Sequence, residues 1–146
     1  MQQQTPSFTG AYLNQNTSPA LTVDLQELAL LILREGGFLH PDAREGAIIA
    51  SGGQAWRYRD GQLHEVPWHA YETALNSSDR NDWPPYTIDF SIVPGTGCQS
   101  LELSVSTLYD RGICEESRGG NETRWTLQYA GNRWQTVTLE HLMSWD

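Results

Sequence analysis

Lysine is absent from these 146 residues; all nine basic side chains are arginine, set against eighteen Asp and Glu for a formal charge of −9. Such a surface repels phosphate backbones and anionic membrane faces, so nucleic acid is not an expected partner. Long apolar runs are missing too. The longest, Leu28 to Leu33, falls far short of the ~20 residues a membrane-crossing helix needs. The opening "MQQQTPSFTG" has neither the positive n-region nor the apolar h-region of a secretory signal. Two expectations remain: a cytosolic protein, or one whose export or anchoring segment has been removed.

Catalytic signatures are equally scarce. There is no G-x-S-x-G, no phosphate-cradling glycine-lysine loop and no H-E-x-x-H. His40, His64, His69 and His141 are scattered, and His64 and His69 are separated by Pro67 rather than sharing a helix face; no metal site is expected from them. Asp79, Asn81 and Asp82 lack the spacing of a calcium loop and read as a solvated turn. The sequon Asn121-Glu122-Thr123 is a triplet common by chance. The reading is a non-enzymatic protein with no cofactor.

Only two cysteines are present, Cys98 and Cys114. They cannot close a zinc site alone, and their spacing is not that of a C-x-x-C redox pair. Glu115 and Glu116 beside Cys114 would suppress its thiolate, which speaks against a thiol enzyme. A disulfide is the favoured reading, with two buried, reduced thiols as the alternative. With Cys98 to Tyr109 as a helix, Cys98, Leu101, Val105, Leu108 and Tyr109 share a face, and Thr96 with Gln99 makes a capping box. "DRGIC" then returns far enough to bring Cys114 beside Cys98, in an oxidising compartment. The competing strand reading alternates Leu101, Leu103 and Val105 with serines and Glu102, and needs a hairpin turn near Ser106 that the sequence does not supply.

Along the chain, residues 1–20 read as a flexible lead-in and 21–146 as one α+β domain. Asp24 and Glu27 begin a helix that ends at Gly36-Gly37. Its Leu25, Leu28, Ala29, Leu31 and Ile32 belong to an apolar set that nearly encircles the axis, which predicts cover on most sides, by core or by an assembly partner. "GAIIASGG" reads as a short buried strand. "AWRYRDGQLHEV" reads as a hairpin turning on Asp60-Gly61, and Pro67 starts a second helix carrying Trp68, Tyr71, Ala74 and Leu75. Tyr86 to Val93 alternates as a strand. "RWTLQYAGNRWQTVTL" closes the domain as a hairpin around Ala130 to Asn132.

The order of "REGGFLHPDAREG", "SGGQAWRY", "YTIDFSIVPGTGCQSL", the second cysteine and "RWTLQY" resembles the globular head of type IV pilins, the type IVb kind in particular. The resemblance implies an N-terminal helix packed on a mostly antiparallel β-sheet, with one disulfide, Cys98 to Cys114, tying down the outer region. It implies no catalytic residue. The membrane-inserting half of the pilin helix and its processing site are missing, and the cysteine spacing is short for that family.

The functional expectation is therefore an extracytoplasmic structural or adhesive subunit of a pilus or secretion system, located in the periplasm, in a pilus or at the cell surface. It would act through protein partners or self-assembly, with no membrane span of its own. The alternative is a small periplasmic acidic binding or inhibitor protein of the immunity type, neutralising a basic partner by charge.

Overall fold

The computed structural model of the chain describes residues 23–39, 46–93, 100–111 and 117–145; the lead-in expected over 1–20 lies outside them. Asp24 caps the first helix, α1 (Leu25–Glu35), its carboxylate accepting from the Gln26 amide at 3.0 Å. Gly37, at φ +82, turns the chain out of the helix where a side chain would strain the backbone. There follow β1 (Ile48–Ser51), β2 (Gln54–Arg59), β3 (Gln62–Val66), α2 (Trp68–Asn76), a 3₁₀ turn at Arg80–Asp82, β4 (Tyr86–Ile92), β5 (Ser100–Asp110), β6 (Arg118–Ala130) and β7 (Arg133–Trp145). Two hairpins close on two-residue turns at positive φ, Asp60-Gly61 and Gly131-Asn132, whose twist matches that of the strands they join.

The described strands form one seven-stranded sheet in the order β3-β2-β1-β4-β5-β6-β7. β1 and β4 are parallel and the other neighbours antiparallel. The parallel pair follows from the path of the chain. The meander β1-β2-β3 ends at an edge, and α2 carries the chain back across one face to set β4 beside β1.

The two helices cover opposite faces. Leu28, Leu31, Ile32 and Leu33 of α1 join Ile49, Trp56, Phe90, Leu103, Trp125 and Leu127 in the main core. Tyr71 and Ala74 of α2 pack on Ile48, Ala50 and Ala55 in a smaller one. The three alanines let α2 approach the sheet closely. Burial pushes the Tyr71 hydroxyl up to about 12, helped by the charge of Asp89. Arg118 pins the end of α2: its guanidinium donates to the Ala74 carbonyl at 2.6 Å and lies 4.5 Å over the Trp83 ring. Beside it Arg80 and Asp110 form an ion pair of 2.7 Å.

The expected architecture of one N-terminal helix on a sheet, stapled by a disulfide, is corrected. The sheet is mixed and has a helix on each face. The largest local error is the helix expected over Cys98 to Tyr109, whose described residues, from Ser100 on, belong to β5. Its alternate residues Leu101, Leu103, Val105 and Thr107 are buried while those between are half-exposed. Period-two burial between two partner strands outweighs the helical spacing of the same leucines and valine. No turn is needed at Ser106, because the strand runs on to Asp110.

Both cysteines lie outside the described residues, and the correction to their pairing rests on what lies between them. An eleven-residue strand spans about 33 Å. Six further residues of chain, two before Ser100 and four after Asp110, reach at most about 22 Å. That leaves the two α-carbons beyond the ~7 Å a disulfide can bridge.

Candidate functional site

Arrangement along the last strand sets the site. Among the described residues β7 is an edge of the sheet, paired with β6 on one side. It carries two extra residues relative to β6. Glu122 and Thr123 pair with Met143 and His141, leaving out Leu142; Thr126 and Leu127 pair with Thr138 and Thr136, leaving out Val137. Each bulge bends the strand and turns a side chain away from the ladder. The bulge residues Val137 (55 % exposed) and Leu142 (43 %), with the paired Leu139 (46 %) and Met143 (54 %), stand in solvent along this strand.

Where β7 begins, it borders a groove of about 530 Å³ against α1. Glu27, Leu31, Arg34 and Glu35 line it from the helix and the stretch from Arg133 to Thr136 from the strand, with Trp134 and Thr136 on this side of the sheet by strand alternation. Trp134 is buried and meets Tyr129 edge to face at 5.2 Å. Burial raises the Glu27 carboxyl above its ordinary range, the charge of Asp24 adds to this, and Arg34 opposes it. A groove so lined can seat a polar or charged side chain.

On the α2 side, from the border of the helix outward, the sheet presents a polar face. Strand alternation places Asp89, Glu102, Glu122 and Glu140 there, with Ser91, Ser104, Ser106 and Arg124. Burial raises the Asp89 carboxyl.

The residues singled out from sequence are dispersed. Leu25, Leu28, Ala29, Leu31 and Ile32 are all buried beneath α1, since α1 lies across the wide, apolar side of the sheet. His40 lies outside the described residues. His64 contacts the Arg59 carbonyl at the β2–β3 turn, and His69 is exposed on α2. His141 Nε2 lies 2.7 Å from Ser144 Oγ across the Leu142 bulge; both are exposed on the edge strand, and neither lines the groove. Among the described residues no three His, Cys, Asp or Glu are placed to hold a metal ion. Asn121 of the sequon sits mid-strand between Thr107 and Ser144. No helix among the described residues is long and apolar enough to cross a membrane.

Sequence reasoning stopped at the β6–β7 hairpin and missed the edge beyond it. The signal was the run Val137, Leu139, Leu142, Met143, whose spacing breaks strict alternation at the two bulges.

Comparison with protein-family models, with curated proteins and with solved structures gives no match. Nothing in these comparisons indicates a type IV pilin.

Proposed function

We propose that this chain is a non-enzymatic subunit that works through protein contacts, and that β7 is its contact surface. One observation carries the reading: a thirteen-residue edge strand, with no partner on its outer side among the described residues, exposes four large apolar side chains. An edge of that length and hydrophobicity is a template for strand addition. Burying those side chains against a partner stabilises the contact at about 25 cal/mol per Å² of apolar surface.

The test is the native size of the chain in a gentle extract of the cells that make it, read by gel filtration and immunodetection. Wild type is expected well above its own 16.4 kDa. Val137→Lys combined with Leu142→Lys is expected at that mass with an unchanged melting temperature, because both side chains are exposed. Wild type eluting at its own mass overturns the proposal. A double variant that stays in the large species overturns it in favour of a second reading, in which a basic protein docks on the carboxylates Asp89, Glu102, Glu122 and Glu140 of the polar face.

A further inference from the structure

Resting on β7 as the contact surface, we infer that its occupant is a second copy of this chain. The two β7 strands run antiparallel about a two-fold axis between Thr136 and Val137, so that Arg133 of each copy faces Glu140 of the other.

The bulge at Val137 makes this register possible. Arg133 and Glu140 are seven residues apart and in an unbroken strand would point to opposite faces. Here they pair with Ala130 and Arg124 of β6, six residues apart, so both side chains lie on the α2 side of the sheet. A two-fold axis normal to the sheet keeps faces together and sets Arg133 opposite Glu140 twice. Trp134 then meets Leu139, both on the α1 side, and Gln135 meets Thr138.

The main chain agrees with that alignment. Ala130 and Arg133 flank a two-residue hairpin and exchange their bonds with each other. By ladder alternation the N–H and C=O of Trp134 point outward, as do those of Leu139 beyond the bulge. Trp134 of one copy and Leu139 of the other can thus exchange two bonds, and the symmetry repeats them. Exposed Leu139 comes to lie beside Trp134 of the other copy, whose own side chain is already buried in its core, and the two Val137 side chains meet at the axis.

Charge selects this register over its rival. Centring the pairing on Leu139 would match all thirteen residues but bring the two Glu140 side chains within diagonal reach and leave Arg133 without an acidic partner across the seam. Each copy carries −9, a long-range repulsion that ~0.15 M salt screens over about 8 Å, while directly opposed pairs are screened less. Four main-chain bonds and eight facing side chains from each copy make a small interface, so the expected dissociation constant is on the order of 10 µM.

A charge swap on the purified full chain tests the register, with sedimentation equilibrium as the readout at ~0.15 M salt. Wild type should approach twice 16.4 kDa at concentrations of about 0.1 mM, well above that constant. Arg133→Glu alone and Glu140→Arg alone each create two like-charge pairs and should weaken association about tenfold or more. Mixed in equal amounts, they restore both opposite-charge pairs and should associate as well as wild type. Val137→Lys, which sets two ammonium groups beside the axis, should abolish the dimer and serves if the Glu140 variant fails to fold beside Arg124.

Variants that dimerise like wild type, or a mixture no tighter than its components, overturn the register. Purified wild type that remains at 16.4 kDa overturns self-pairing. If the large native species described above nevertheless persists and dissolves with the two lysines, β7 remains the contact surface with a different occupant.

Discussion

The two halves of the sheet are built by opposite rules. Around β1 the strands are four to six residues long, and all four residues of β1 are buried because α1 and α2 press on it from either side. From β5 to β7 the strands are eleven to thirteen residues long and only the α1 side is sealed. In the first half β1 has no face left for recognition. The second keeps a polar face and a free edge, so the surface available for partners follows from the reach of two short helices over a wide sheet. Gly119 marks how tightly even this half is closed: a Cβ there would come within 2.7 Å of the Tyr109 ring lying over it, directly across the β5–β6 ladder.

The sharpest way to break the contrast is in the main core. Leu28, fully buried against the sheet, should cost about 2 to 5 kcal/mol when replaced by alanine, read by urea denaturation. A loss below about 0.5 kcal/mol, within the range of surface substitutions, would show that α1 does not seal that side. The smaller core should fail in the opposite sense, by crowding. Ala55→Leu forces a larger group under α2 and should cost about 1 to 3 kcal/mol, and a neutral result would mean that α2 rides loosely on β1 and β2.

The weakest effect belongs to the polar face. Burial holds the folded Asp89 pKa above its ordinary 3.8, so ionising it disfavours the fold. The penalty is absent below the unfolded pKa, grows as pH rises through the carboxylate range and is complete above the folded pKa. Asp89→Asn should therefore gain stability at pH 7, by no more than about 0.5 kcal/mol given solvent screening, and nothing at pH 3. Equal gains at both pH values would trace the effect to packing rather than charge.

Much of the local structure was legible because local chemistry decided it. Asp24 caps α1, Asp60-Gly61 and Gly131-Asn132 turn their hairpins, and Pro67 precedes α2; each acts within a few residues of itself. The stretch from Cys98 to Tyr109 satisfied two periods at once, because Leu101, Val105 and Leu108 are spaced for a helix while Leu101, Leu103 and Val105 are spaced for a strand. Only flanking partners β4 and β6 separate those readings. The edge was illegible for a related reason: Val137 and Leu142 break alternation, and a bulge exists only relative to the strand it is bulged against.

By itself, then, the amino-acid sequence determined the caps, the turns, the acidic surface and the alternation of β4, since these depend on side chains close along the chain or on simple counting. Tertiary structure alone decided that β5 is a strand, that the all-round apolar character of α1 is spent inside one molecule, and that β7 is left at the border. Those outcomes turn on pairings between segments far apart in the chain, and period-two hydrogen bonding to a neighbour is a property no single segment contains.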